Sequence, residues 1–78
     1  MTDVQWAGWC SVFERNFLAQ PGASIIGRDA TATGIIYRVQ LGESVVEKSF
    51  LRPNGFGVPN PLETARQLLC ELGAASAS

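Results

Sequence analysis

The sequence predicts an α+β domain in which two helices pack on one face of a three-stranded antiparallel sheet, in the order α-β-β-β-α. Apolar residues recur at helical spacing near both ends of the chain and alternate with polar residues in the middle. A two-residue turn signal within the alternating stretch indicates that the strands around it are antiparallel. With 78 residues, the chain has room for one domain, which we expect to span residues 1–78.

The first helix is predicted over residues 2–19. Thr2 and Gln5 have the spacing of a capping box, which satisfies backbone N–H groups at the start of a helix. One stripe of the helix is apolar and is made of Trp6, Trp9, Cys10, Phe13 and Phe17. We expect this stripe to be mainly core, but Trp9 lies at its edge and is a candidate contact for a protein partner, because tryptophan is common at binding hot spots. Gln20-Pro21-Gly22 should end the helix.

Three strands are predicted at residues 23–28, 35–41 and 44–52, with a turn or frayed strand end at residues 29–34. Gly42-Glu43 fits the two-residue turn of a hairpin. Pairing Leu41 with Ser44 sets the core-face pairs Val39–Val46, Tyr37–Lys48 and Ile35–Phe50. It also places Arg38 beside Glu47 on the other face, and this opposite-charge pair supports the register.

The second helix should begin at Asn60, which is followed by Pro61 and Glu63 in a typical helix-start pattern. Its apolar stripe is Leu62, Ala65, Leu68, Leu69 and Leu72. Gly73 fits the position that follows the last helical turn. Before this helix, residues 53–59 form a loop rich in proline and glycine.

The composition excludes several classes of function. Histidine is absent, which removes imidazole bases and imidazole metal ligands. The two cysteines are too few for a disulfide scaffold, and we expect both thiols to be free, with Cys10 on the core side of its helix and Cys70 exposed. The seven acidic residues are scattered along the chain. We therefore expect a protein that is not an enzyme and that has no cofactor and no metal.

The expected location of the protein depends on two sequence features, a signal peptide and a membrane span. The first residues are not basic, and they are not followed by the long apolar run of a signal peptide. No stretch of the sequence approaches the length of a membrane span. We expect a cytoplasmic protein that does not bind a membrane.

The α-β-β-β-α order, Gly42 in the hairpin turn and the glycine loop before the last helix resemble the double-stranded RNA-binding domain. This resemblance implies the same architecture and, as an alternative function, binding of nucleic acid. The RNA contacts of that family depend on a basic cluster at the start of the last helix, whereas residues 60–66 here include one basic and one acidic side chain. The net charge is −1, and nucleic acid is therefore an unlikely partner.

A protein-binding module is the function that these exclusions favour, in the form of an inhibitor or adaptor that covers a site on a larger protein complex. Hydrophobic residues make up 46% of the chain, and a domain this small has a large surface fraction, so part of that content should lie near the surface. In size and composition the chain resembles small bacteriophage proteins that inhibit bacterial defence complexes. A structural subunit of a larger assembly is a further alternative.

Two surfaces are candidate sites. Phe56 and Val58, with Arg52 at their border, lie in the proline-bounded loop and are candidate partner contacts. Two other interpretations of this loop stay open: Phe56 could fold back on the core, or Gly55 and Gly57 could hold an anion. The face of the sheet opposite the helices is the candidate surface for a homodimer, through Ile36, Arg38, Val45 and Leu51.

Overall fold

Two helices and three consecutive strands make up the fold, and a computed structural model describes residues 2–53 and 57–73. The elements are α1 (Asp3–Leu18), β1 (Ala23–Ala30), β2 (Gly34–Leu41), β3 (Ser44–Leu51) and α2 (Pro61–Glu71). The strands form one antiparallel sheet in the order β1-β2-β3. The predicted α-β-β-β-α architecture is confirmed.

Helix α1 begins with the predicted capping box. The Gln5 backbone N–H donates to Thr2 Oγ1 over 3.1 Å, and the Thr2 N–H donates to Gln5 Oε1 over 2.9 Å. Each side chain thus satisfies a donor that the first helical turn leaves free. After α1 the chain reverses at Gly22, whose positive φ of 85° is a conformation that glycine adopts at little cost.

The β2–β3 hairpin has the register predicted from its turn. Leu41 pairs with Ser44 across Gly42-Glu43, and the remaining pairs follow by counting. Arg38 and Glu47 are opposite one another, and Arg38 Nη2 lies 3.0 Å from Glu47 Oε2. Local turn chemistry and alternation were therefore sufficient to define this half of the sheet.

Strand β1 is two residues longer than predicted. The sequence suggested a turn from Asp29 onward, but pairing with β2 continues as far as Ala30, opposite Ile35. The turn is completed by the Thr31 backbone N–H, which donates to the Gly34 carbonyl over 2.9 Å. Hydrogen bonding to the central strand β2 thus extends β1, although apolar and polar side chains alternate only weakly in this part of β1.

A β-bulge interrupts β1 between Ile25 and Gly27. Before the bulge, Ile25 pairs with the fully buried Val39; after it, Arg28 pairs with the fully buried Tyr37. The extra residue shifts the alternation by one position. Arg28 therefore lies on the helix-covered face, where simple alternation from Ile25 would have placed it on the opposite one.

The core lies between the two helices and one face of the sheet. Its buried residues are Trp9, Cys10, Phe13, Phe17, Tyr37, Val39, Ala65 and Leu68. Phe13 is central, with ring centroids 5.1 Å from Tyr37 and 5.0 Å from Phe50. Both helices pack on the same face of the sheet in this cluster. The opposite face of the sheet is therefore left open.

Helix α2 begins as predicted, with Asn60 Oδ1 accepting from the backbone N–H of Leu62 over 2.9 Å. Gly73 follows the helix with a φ of 86°. The predicted apolar stripe is corrected at its first member: Leu62 is exposed, and the buried contacts of α2 begin one turn later, at Ala65. Within the described part of the chain, no helix has the length and apolar character needed to cross a bilayer.

Candidate binding surfaces

A hydrogen-bonded cluster joins α1 to the sheet. Glu14 Oε1 accepts from Arg28 Nε over 3.0 Å and from Arg28 Nη2 over 2.7 Å. The Tyr37 hydroxyl donates to Glu14 Oε2 over 2.7 Å. Both carboxylate oxygens of Glu14 are therefore engaged, and three elements are tied together. The sequence analysis missed this cluster, because Arg28 reaches Glu14 only from the face to which the bulge moves it.

The ionisation of this cluster suits a structural role. Burial acts to raise the pKa of Glu14, but hydrogen bonds from Arg28 and Tyr37 outweigh it, and the pKa lies below its usual range. Burial, together with the hydrogen bond to Glu14, raises the pKa of the Tyr37 hydroxyl well above its usual range. Near neutral pH the carboxylate is charged and the phenol is protonated, which is the combination that their hydrogen bond requires.

The two cysteines lie where the helical stripes predicted. Cys10 is buried and Cys70 is exposed, and both are free thiols. Burial raises the pKa of the Cys10 thiol. A buried thiol with a raised pKa is a poor nucleophile at neutral pH, because the thiolate is the reactive form. In residues 2–53 and 57–73, no group of three or more acidic or cysteine side chains is placed to hold a metal ion.

In the described part of the segment that leads into α2, Val58 is presented to solvent. Val58 is 50% exposed. The chain next to it is held in place, because Trp9 Nε1 donates to the Pro59 carbonyl over 2.8 Å and Asn60 caps α2. Phe56, the other apolar residue that was predicted to contact a partner here, lies outside the described residues.

Arg52, at the border of this segment, is tied to the start of α1. Its Nη2 lies 2.7 Å from Asp3 Oδ1, and its backbone N–H donates to the Thr33 carbonyl over 2.8 Å. The end of β3, the β1–β2 turn and the first residue of α1 therefore meet at this point. The charge predicted beside the loop is present, and an acidic side chain already neutralises it.

The interpretation of Trp9 as a partner contact is corrected by its burial. Trp9 is only 6% exposed, with its ring stacked at 5.3 Å from Trp6 and 5.8 Å from Phe13. Its indole N–H is used by Pro59. Trp9 thus belongs to the core and positions the segment around Val58, whereas Trp6 is the tryptophan that keeps a partly exposed side chain.

The open face of the sheet carries all four residues predicted for self-association. Val45 and Leu51 are 54% and 71% exposed, Arg38 is exposed and Ile36 is half-buried. Ile26, the unpaired residue of the bulge, is also 50% exposed and is an apolar surface residue that the sequence analysis missed. Gly27, inside a strand of otherwise regular composition, was the only signal for that irregularity.

An open depression of about 270 Å³ lies where strand β1 passes the Arg38–Glu47 pair, mainly on the open face. Its lining residues are Gly27, Arg28, Asp29, Ile36, Arg38 and Glu47. Gly27 leaves one wall without a side chain, and a Cβ atom there would lie 3.3 Å from the Cβ atom of Arg38. Four of its lining residues are charged, and Ile36 is its large apolar member.

No protein-family model matches this chain, and neither a curated protein nor a solved structure is significantly similar to it.

Most basic side chains of this surface lie beside acidic ones. Five of the six basic side chains lie within 4 Å of an acidic one. The start of α2 follows the same pattern, since Arg66 lies 3.9 Å from Glu63. These five positive charges thus each have a negative charge nearby and are spread over several elements of the fold.

Proposed function

We propose that this protein is a non-enzymatic protein-binding module, an inhibitor or adaptor that covers a site on a larger protein complex in the cytoplasm. The half-exposed Val58, held on a fixed segment, is the observation that carries the proposal. An inhibitor of the bacteriophage anti-defence type is the form that the small size and plain composition favour.

The anchoring of Val58 supports a preformed contact. The segment around it is joined to α1 by the Trp9–Pro59 hydrogen bond and to α2 by the Asn60 cap. An apolar side chain on an already ordered segment loses little conformational entropy on binding, so more of its burial contributes to affinity. Burying such a side chain against a partner removes apolar area from water, which is the main favourable term in association.

The hydrogen-bonded cluster of Glu14, Arg28 and Tyr37 supports a function without catalysis. Glu14, Arg28 and Tyr37 satisfy one another, and Cys10 is buried beside Tyr37 with a raised pKa. A general base or nucleophile needs access to a substrate and a free or activated atom. The arrangement of these groups instead joins α1 to the sheet.

Affinity capture followed by a binding measurement tests this proposal. The tagged chain is expected to retain one protein from a lysate of its source cell, and the purified pair is then measured by calorimetry. Val58→Ser should weaken that affinity by about fivefold or more, because truncating a hot-spot contact at an interface centre costs over about 1 kcal/mol. Thermal stability should change little, since Val58 is half-exposed.

Val45→Ser is the matched control, because Val45 has a similar exposure of 54% on the open sheet face. The control should bind the captured protein as tightly as the wild type. Equal affinity of Val58→Ser and the wild type would exclude the Val58 segment as the contact. A wild-type chain that retains no protein above background would contradict the protein-binding function itself.

A further inference from the structure

We propose that a second copy of this chain binds the open face of the sheet, face to face, in a weak symmetric dimer. This inference goes beyond the proposed function, which depends on the Val58 segment. It concerns a different surface, and it rests on two properties of the sheet: edges unsuited to pairing and a self-complementary arrangement of charge on the open face.

Neither edge of the sheet is suited to pairing with a second copy. The order β1-β2-β3 makes β1 and β3 the edge strands. A bulge interrupts β1, which breaks the regular row of hydrogen-bonding groups that another strand would need. Bulges and charged side chains are features by which natural sheets avoid edge-to-edge association.

Charged side chains disfavour pairing of β3 with β3 of a second copy. Glu47 and Lys48 occupy the middle of this strand. Symmetric antiparallel pairing of β3 over most of its length would place either Glu47 opposite Glu47 or Lys48 opposite Lys48. Like charges directly opposite one another in a sheet are destabilising. With both edges disfavoured, the open face is the part of the sheet that stays available to a second copy.

The centre of that face is complementary to itself in charge. Arg38 on β2 and Glu47 on β3 are neighbours 3.0 Å apart, and their side chains are 59% and 57% exposed. A two-fold axis that runs along the strands, between β2 and β3, exchanges these two positions. Arg38 of each copy then lies over Glu47 of the other, as an isologous interface requires. An axis across the strands would instead place Arg38 over Arg38.

Apolar side chains flank this charged centre at both ends of β3. Leu51 pairs with Gly34, which has no side chain, and Val45 pairs with Gln40. In the same two-fold arrangement Leu51 covers the start of β2 in the other copy, and Val45 covers its end. Each apolar residue therefore loses water-exposed area, while the central charges keep partners of opposite sign.

The area of the face indicates that the dimer is weak. The two-fold axis between β2 and β3 overlaps only these two strands, which span roughly 10 by 26 Å, so the two faces cover roughly 500 Å² in total. Stable interfaces bury at least about 1,200 Å². We therefore expect association only at high protein concentration, with a dissociation constant on the order of 1 mM or somewhat below.

Analytical ultracentrifugation of charge-reversed variants tests the arrangement. The wild type should show reversible dimerisation as the concentration approaches about 1 mM. Arg38→Glu and Glu47→Arg should each weaken self-association about tenfold, because each places two like charges at the centre of the face. An equimolar mixture of these two variants should associate again, since one copy then carries two acidic and the other two basic side chains there.

Arg66→Glu is the control, because Arg66 and Glu63 form an ion pair on α2 with exposures of 66% and 63%, similar to those at the sheet centre. It should dimerise like the wild type. The double variant Arg38→Glu/Glu47→Arg keeps the pair with its order reversed, and it should also dimerise. Circular dichroism checks the fold of each variant. If a single reversal does not fold, the double variant should still self-associate but should not associate with the wild type, because like charges would then face one another.

Three results would overturn the proposal. One is a wild type that stays monomeric at about 1 mM. Another is self-association that both charge reversals leave unchanged, which would assign it to a different surface. The last is a mixture of the two variants that associates no more strongly than either variant alone, because direct contact between the two faces requires this rescue.

Discussion

Replacing Tyr37 with phenylalanine removes the hydrogen bond that ties the sheet to α1, together with the contact between the Tyr37 hydroxyl and the Cys10 thiol. The Tyr37 side chain is fully buried, and its hydroxyl donates to Glu14 Oε2 over 2.7 Å. A hydrogen bond to a charged group contributes about 1.5–3 kcal/mol. Glu14 is partly exposed, so water can replace the lost donor, and the ring contacts are kept. We therefore expect Tyr37→Phe to lower the free energy of unfolding by about 1–1.5 kcal/mol.

The pH dependence of this loss follows from the lowered pKa of Glu14. A carboxyl group whose pKa is lower in the folded state stabilises the fold fully above its unfolded pKa, about 4.3 for glutamate. That stability is lost as the pH falls through the folded pKa, where the carboxylate is protonated. The difference in the free energy of unfolding between Tyr37→Phe and the wild type should have its full value near neutral pH. It should shrink below about pH 4.

Urea unfolding followed by circular dichroism measures both effects. A double-mutant cycle with Glu14→Gln should give a coupling energy of about 1 kcal/mol between the two side chains. Unchanged dependence on urea concentration would show that the denatured state is the same in all variants. A stability of Tyr37→Phe within about 0.3 kcal/mol of the wild type near pH 7 would refute this reasoning. A loss that persists unchanged near pH 3 would refute the part assigned to the carboxylate.

Three further predictions concern the candidate sites. Phe56→Ala should weaken partner binding by roughly 2 kcal/mol and leave thermal stability nearly unchanged. A loss of about 3 kcal/mol in folding stability would instead assign Phe56 to the core. In the native protein a thiol reagent should modify the exposed Cys70 and leave the buried Cys10 intact. Equal labelling rates of the two cysteines by mass spectrometry would contradict the placement of Cys10 on the buried side of α1 and of Cys70 on the exposed side of α2. Duplex RNA and DNA should bind no better than about 10⁻⁴ M at physiological salt, and a micromolar gel shift would favour nucleic-acid binding instead.

The sequence was sufficient for features that depend on neighbouring residues. Thr2 with Gln5, and Asn60 with Pro61, define the helix starts through contacts within one turn. The hairpin register followed from the two-residue turn, which fixes the first pair. A slip of one residue would then move every side chain of the strand to the opposite face of the sheet. Exposure of Arg38 on the open face followed from the same register.

Tertiary structure decided the features that depend on residues distant in sequence. Trp9 lies near the edge of its helical stripe, but its ring packs against Phe50 and its N–H donates to the carbonyl of Pro59, 50 residues later. Arg28 faces Glu14 only because hydrogen bonding to β2 produces a bulge in β1, and Gly27 was the sole local trace of it. Side-chain pattern determines which residues are able to be buried, whereas the pairing of distant backbone segments determines which of them are.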